Sequence, residues 1–167
     1  MPHDFLEFGD MECVKRYADY TTVTCRQWLP VLEDDHNKDI VIQSMRYLSE
    51  NKIAIIYAFV IMETHFHLIW QLLGGRELKK VQQVFLKYTA QMILRNLTNA
   101  DSPLLADMLV NKLDRKYQVW MRKSLSIPLW SPSVLKQKLN YIHSNPVKAG
   151  LCKYPEEYKY SSARFYL

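Results

Sequence analysis

The sequence predicts an α+β fold, with a mainly antiparallel sheet and helices on one face of it. Segments rich in β-branched residues alternate along the chain with longer segments whose apolar residues recur at helical spacing. Two of the predicted strands are separated by only two polar residues, which is typical of an antiparallel hairpin. Glycine occurs only 4 times among 167 residues, which is too rare for the many tight turns of an all-β barrel.

The first half of the chain contains three predicted strands and one helix. Residues 21–28 are the first strand, because threonines alternate there with apolar residues. A helix over residues 34–50 follows, and its acidic residues lie near the N-terminus, where the helix dipole favours them. Residues 52–62 and 65–73 are the second and third strands, and the short connection between them predicts that they pair.

The second half is mainly helical. Residues 76–97 are predicted as a long amphipathic helix, residues 104–113 as a short helix and residues 117–121 as a short strand. The last helix begins after the N-cap Ser131 and ends near Asn145, because the following proline disfavours helical geometry in the residue before it. The resulting order predicts a ferredoxin-like split β-α-β sandwich followed by a C-terminal helix that carries a tyrosine.

Composition and charge restrict the class of protein. Hydrophobic residues make up 49% of the chain, which excludes an intrinsically disordered protein, and the length predicts one domain over residues 1–167 with residues 1–16 as an N-terminal extension. A net charge of +5 permits a nucleic-acid partner without establishing one. The 3 cysteines are far apart, as in reduced cytoplasmic proteins, and the longest apolar run, residues 53–62, is too short for a membrane span. We therefore expect a cytoplasmic protein with no membrane partner.

Two histidines in the third predicted strand are candidate metal ligands. His65 and His67 lie on either side of Phe66, and because side chains alternate along a strand, both imidazoles project from the same face. Two imidazoles at this spacing can bind one divalent metal ion. The alternative is a half-exposed strand face that binds nothing. Short motifs often occur by chance, so the spacing alone leaves both interpretations open.

The last helix carries a second group of candidates. Lys138, Tyr141 and Asn145 follow each other at spacings of three and four residues, so they share one edge of the helix. The phenol of Tyr141 can attack phosphorus, and the amide oxygen of Asn145 is a ligand that Mg²⁺ or Mn²⁺ accepts beside imidazole. The alternative is that Tyr141 only packs against the sheet and that Asn145 only ends the helix.

Three segments resemble the single-tyrosine HUH (His-hydrophobic-His) transposases, in particular the REP-associated tyrosine transposases and their insertion-sequence-200-like relatives. Residues 57–70, YAFVIMETHFHLIW, are similar to the segment with the two histidines. Residues 137–151, QKLNYIHSNPVKAGL, are similar to the tyrosine helix and its NPV-x-AG exit. Residues 155–163, PEEYKYSSA, are similar to the C-terminal stretch of the family. The three segments follow the family's order, and the resemblance spans residues 21–166.

The resemblance implies a transposase domain that is a single-strand endonuclease. Tyr141 would be its nucleophile, and His65, His67 and Asn145 would hold Mg²⁺ or Mn²⁺. The implied reaction cleaves and rejoins single-stranded or hairpin DNA through a 5′-phosphotyrosine intermediate. One departure is the Glu63-Thr64 pair before the first histidine, where relatives often carry Pro or Ser followed by Asn. This departure keeps the ligands and adds a carboxylate near them.

Basic and aromatic residues outside this group are candidates for DNA contact. Lysine and arginine bind phosphates, and exposed aromatic rings stack on unpaired bases. The candidates are Lys138, Lys148, Lys153, Arg122, Lys123 and Trp120. The alternative for each is a solvated charge or a ring in the core. The expected partner is single-stranded or hairpin DNA, bound by a monomer or a homodimer.

Three other functions compete with the transposase. One is a domesticated DNA-binding protein of the same fold that no longer transposes. Another is a non-catalytic sheet that binds nucleic acid, although the aromatic strand motif of RNA-recognition domains is absent from this sequence. The third is a metal-dependent hydrolase, which would need more ligands than the His65 and His67 pair supplies.

Overall fold

The computed structural model describes residues 17–166, and its central element is a four-stranded antiparallel sheet. Along the chain the elements are β1 (Asp19–Thr24), α1 (Asp35–Glu50), β2 (Ala54–Ile61), β3 (His65–Leu72), α2 (Leu78–Asn99), α3 (Leu104–Asp107), β4 (Leu109–Lys112), β5 (Arg115–Tyr117), β6 (Leu125–Pro128) and α4 (Pro132–Lys148). The strand order in the sheet is β2-β3-β1-β6, while β4 and β5 form a separate hairpin. The predicted extension over residues 1–16 lies outside the described residues.

The central strand β3 divides its side chains between the two faces of the sheet. Phe66, Leu68 and Trp70 lie in the larger core, which the sheet forms with α1 and α2. The alternate residues of β3 point the other way, and Ile69 among them belongs to a second, smaller core. Burial on both faces explains why β3 is apolar along most of its length.

The second core lies between the sheet and α4. Ile142 of α4 is fully buried against Tyr20, Val60 and Ile69 of the strands, and Leu135 extends this contact at partial exposure. The predicted α+β class and antiparallel sheet are thus confirmed. The helices α1 and α2 cover one face as predicted, and the tyrosine-bearing helix α4 covers the opposite face. This is also the face on which the odd-numbered residues of β3 lie.

Pro146 does not end α4, and the predicted end near Asn145 is wrong. The helix continues to Lys148 with Pro146 inside it. A proline in the last turn removes one hydrogen bond of the helix, but Pro146 is buried and its ring packs within the protein. The helix ends instead two residues before Gly150, whose φ is +73° and whose N–H donates to the Val147 carbonyl oxygen at 3.0 Å.

Three other boundaries differ from the prediction. The first strand ends at Thr24, because residues 26–28 form a 3-10 turn. The predicted helix over residues 104–113 stops at Asp107, and the rest of it is strand β4. The predicted strand over residues 117–121 is reduced to β5, which ends at Tyr117, and to an isolated bridge further along.

The segment over residues 158–166 lies along the outer edge of β2. The Ile61 N–H donates to the Tyr160 carbonyl oxygen at 2.9 Å, and the Ser162 N–H donates to the Phe59 carbonyl oxygen at 3.0 Å. The Tyr158 hydroxyl donates to the Ile61 carbonyl oxygen at 2.9 Å. This segment therefore satisfies the backbone groups that an edge strand would otherwise expose. Within residues 17–166 no helix combines the length and apolar character needed to span a membrane.

Candidate active site

His67 lies on the sheet face that α4 covers, and only 4% of its surface is exposed. Its Nδ1 is 2.9 Å from the Tyr20 hydroxyl and 2.9 Å from the Thr22 hydroxyl. Its Nε2 is buried and has no hydrogen-bond partner among residues 17–166. When Nδ1 carries the proton and donates it to one of the hydroxyls, Nε2 presents a lone pair. A buried nitrogen of this kind fits a metal ligand, because a bound metal satisfies it.

His65 lies two residues earlier on the same face of β3. The centroids of the two imidazole rings are 4.9 Å apart. The Nδ1 of His65 is 3.1 Å from the hydroxyl of Thr64, the residue that precedes it. The turn residue Glu63 is exposed, and its backbone carbonyl oxygen accepts the Leu32 N–H at 2.9 Å. The structure therefore places the two imidazoles side by side.

Burial keeps both imidazoles neutral. It lowers the pKa of His67 to about 3, and repulsion from Lys138, and from His65 when that ring is protonated, acts in the same direction. Burial also lowers the pKa of His65. Metal ions bind the neutral form of imidazole, so near neutral pH both side chains are in the state that a metal requires.

The helix α4 brings Tyr141 against the histidines. Its ring centroid is 5.4 Å from that of His67 and 6.4 Å from that of Tyr20, both in edge-on contact. The next residue, Ile142, anchors the helix in the second core, while Tyr141 remains 43% exposed. Ser131 caps the start of the helix, and its hydroxyl accepts the Val134 N–H at 3.3 Å. A phenol that solvent can reach is thus held beside the buried imidazole of His67.

Two lysines flank this phenol. Lys138 Nζ is 5.7 Å from the Tyr141 ring centroid and 4.6 Å from the Tyr20 ring centroid. Lys148 Nζ is 5.6 Å from the Tyr141 ring centroid. Both lysines lie on the edge of α4 that carries Tyr141, and together they create positive potential around the hydroxyl. A phosphate group would be attracted to this position.

Asn145 lies one turn after Tyr141 on α4 and is half-buried. In the described part of the chain, no group of three or more His, Cys, Asp or Glu side chains could hold a metal ion. A metal at His65 and His67 would therefore need donors of other types. The amide oxygen of Asn145 is one such donor, on the helix that faces the histidines.

The prediction that Trp120 stacks on DNA bases is wrong. The ring is buried in the larger core, with its centroid 5.6 Å from that of Phe66. Its Nε1 donates to the Leu86 carbonyl oxygen and to the Thr89 hydroxyl, each at 3.1 Å. Trp120 is thus fully used in packing against α2, on the face of the sheet opposite His65.

The remaining candidate DNA contacts fall in two places. Lys153 follows α4, and its Nζ lies 5.1 Å from the Tyr154 ring centroid. Arg122 and Lys123 are exposed in the connection between β5 and β6. Lys138 and Lys148 are therefore the candidates that lie directly beside Tyr141.

Sequence reasoning missed three residues of the site. Tyr20 and Thr22 of β1 hold His67, and Trp28 is in edge-on contact with His65 at a centroid distance of 5.7 Å. The sequence did indicate such a role, because Thr22 and Thr24 alternate with apolar residues in the first predicted strand. Alternation of this kind predicts a strand face whose hydroxyls need polar partners. In the sheet, Thr22 is paired directly with His67.

Transposases are among the solved structures that this chain resembles. The structure of a REP-associated tyrosine transposase bound to a REP hairpin superposes with a TM-score of 0.64 and 16% identity, over 89% of this chain and 78% of that chain. The chain has the fold of a REP-associated tyrosine transposase. A crystal structure of a protein from Deinococcus radiodurans R1, classed as a transposase, matches 75% of this chain and 89% of that chain at 16% identity, with a TM-score of 0.49. No family model and no curated protein matches the sequence.

The match in fold agrees with the resemblance of the three sequence segments to transposases. At 16% identity the superposition concerns the fold, and the chemistry has to be argued from the side chains of this chain.

Proposed function

We propose that the protein is a metal-dependent single-tyrosine DNA transposase that cleaves and rejoins single-stranded or hairpin DNA in the cytoplasm. The observation that carries this proposal is the contact between the exposed Tyr141 and the buried His67, whose Nε2 has no partner among the described residues. A reachable phenol beside neutral imidazoles is the arrangement that metal-assisted phosphoryl transfer to tyrosine requires. The transposase fold supports the same function.

In this proposal, His65, His67 and Asn145 would hold Mg²⁺ or Mn²⁺. A bound metal ion would neutralise the charge of the scissile phosphate and polarise its P–O bond. The donor set supports the assignment, since two neutral imidazoles and one amide oxygen are ligands that Mn²⁺, and less readily Mg²⁺, accept.

The chain's own residues would carry out the transfer. Lys138 and Lys148 would attract the phosphate to the edge of α4. The Tyr141 oxygen would form a bond to phosphorus while the bond from phosphorus to the 3′ oxygen breaks, the phenol losing its proton and the 3′ oxygen gaining one. The products would be a 5′-phosphotyrosine and a free 3′-hydroxyl. Rejoining is the reverse attack, and it needs no ATP because the protein–DNA link keeps the bond energy.

The experiment that tests this function is the formation of a covalent adduct. We expect the wild-type protein, incubated with hairpin DNA and Mn²⁺, to form an adduct that survives SDS, and mass spectrometry to place the nucleotide on the Tyr141 peptide. Tyr141→Phe should form none, while its free energy of unfolding should change by less than about 1 kcal/mol, because the ring stays and the residue is exposed. Hairpin binding should persist, since other residues contact the DNA.

Tyr154→Phe is the matched control. Tyr154 is also exposed and also has a lysine over its ring, but it lies beyond the end of α4. This variant should form the adduct at the wild-type rate. Cleavage by Tyr141→Phe, or an adduct on Tyr117 or Tyr154, would contradict the proposed function.

A further inference from the structure

Trp28 is an exposed tryptophan beside the two histidines. Its indole is 59% exposed, and the ring centroid lies 5.7 Å from that of His65. Trp70 and Trp120, in contrast, are buried in the larger core. Burial of a large apolar ring is stabilising. A ring that stays exposed next to a polar site is therefore a candidate for contact with a ligand.

The backbone holds Trp28 in an unfavourable conformation. Gln27 and Trp28 have φ of 51° and 58°, so two consecutive residues with side chains occupy the left-handed region. Hydrogen bonds from the two residues before this pair fix the start of the turn: the Cys25 N–H donates to the Thr64 carbonyl oxygen at 2.8 Å, and the Arg26 N–H donates to the Val119 carbonyl oxygen at 2.7 Å. This strain is not offset by burial of the indole. Strained residues that stay exposed are concentrated at binding sites.

Arginine residues lie on this turn and beside it. Arg26 precedes Gln27, and its Nε is buried without a hydrogen-bond partner among residues 17–166. The Met121 N–H donates to the Thr24 carbonyl oxygen at 2.8 Å, so the following residue, Arg122, lies close to the end of β1. The exposed Glu63 is an acidic residue in the neighbouring turn, where its backbone carbonyl oxygen accepts the Leu32 N–H. The turn therefore combines an exposed aromatic face with guanidinium groups, which are the groups that bind bases and phosphates of a single strand.

We propose that Trp28 is a stacking subsite for an unpaired base next to the scissile phosphate, with Arg26 and Arg122 binding phosphates of the same strand. This proposal rests on the proposed function, because it takes the contact between Trp28 and His65 as the side from which the strand enters the active site. Stacking accepts any base, so the subsite adds affinity and position without reading sequence.

Trp130 provides a matched control. It is 63% exposed, compared with 59% for Trp28, but it follows Leu129, whose N–H donates to the Ala18 carbonyl oxygen. It is therefore near the start of β1, whereas Trp28 and His65 are near its end, where Thr24 is paired with His65. If DNA binding depended only on the loss of an exposed tryptophan, Trp28→Ala and Trp130→Ala would weaken it equally.

The test measures binding and adduct formation with a series of single-stranded hairpin substrates. Trp28→Ala should raise the dissociation constant and the KM about tenfold, with little change in the rate at saturating DNA, and Trp28→Phe should restore most of the loss. Trp130→Ala should match the wild type. An abasic nucleotide at the stacking position should weaken wild-type binding by a similar factor and should have no further effect on Trp28→Ala.

Each outcome bears on one proposal. If Trp28→Ala binds and cleaves as Trp130→Ala does, or if no abasic position is coupled to Trp28, the stacking subsite is wrong while the proposed function stands. If the wild-type protein forms no adduct with any substrate, the proposed function fails. The binding measurements with abasic DNA, compared between the wild type and Trp28→Ala, then still decide whether Trp28 stacks, and circular dichroism of Trp28→Ala checks that the variant is folded.

Discussion

The two ring nitrogens of His67 differ in their hydrogen-bond partners. Nδ1 meets two hydroxyls from β1, whereas Nε2 is enclosed without a partner among the described residues. Leaving a buried polar atom unpaired costs about 1–3 kcal/mol. The unpaired Nε2 therefore lowers the stability of the folded protein, and it lies at the position where the proposed metal would bind.

Removal of either imidazole should stop the reaction. We expect His65→Ala and His67→Ala each to abolish Mn²⁺-dependent adduct formation, because no other described histidine lies on this part of the sheet to replace the lost ligand. Calorimetry should show the matching loss of Mn²⁺ affinity, and circular dichroism should show that the fold persists. His36→Ala, at an exposed position in α1, should behave as the wild type. An adduct formed at the wild-type rate by either site variant would refute the two-histidine site.

Single residues differ in how far the sequence predicts them. The shared face of His65 and His67 follows from the alternation of a strand, which depends on backbone geometry alone. The burial of Trp120 does not follow from its neighbours in sequence. It depends on α2, which supplies a carbonyl oxygen and the Thr89 hydroxyl to the indole.

At the scale of elements, the end of α4 depends on Gly150. Its φ of +73° is unfavourable for a residue with a Cβ, although among residues 17–166 no atom beyond its neighbours in the chain lies within 4 Å of the place that a Cβ would take. Gly150→Ala should therefore cost about 1 kcal/mol in the free energy of unfolding, from backbone strain alone. Urea denaturation can measure this difference.

Gly150→Asn is the control for this prediction, because asparagine tolerates the left-handed conformation better than alanine and should cost less. Equal stability of Gly150→Ala and the wild type would contradict the role of this glycine.

The hairpin of β2 and β3 was predictable within two residues at each end, because its strands are long, apolar and joined by a short turn. The strand β6 was not predictable. It has four residues, and it forms because β1 offers its free edge, pairing Thr21 with Ser126. Short edge strands of this kind are determined by tertiary contacts rather than by local pattern.

At the scale of the whole molecule, stability should depend on pH through three histidines. Burial lowers the pKa of His65, His67 and His143 below the ordinary value of about 6.5. Below that pH the unfolded chain binds protons that the folded protein does not, so the free energy of unfolding should fall as the pH decreases from about 6.5 towards the folded pKa of His67, about 3.

Urea denaturation in the presence of EDTA, between about pH 7 and pH 5, would measure this dependence. His143→Gln should reduce the slope, because it removes one of the buried imidazoles. His36→Gln changes an exposed residue and should leave the slope unchanged. Constant stability over this range would show that the buried histidines are not the cause.

The segment over residues 158–166 has a consequence for assembly. A strand edge with free N–H and carbonyl groups is a template on which another molecule can add a strand, and such additions lead to fibres. Here the backbone groups of Phe59 and Ile61 are already occupied. At the opposite edge, β6 is short and ends in Pro128, which has no N–H to donate. A homodimer that continued the sheet across β2 would first have to detach this C-terminal segment.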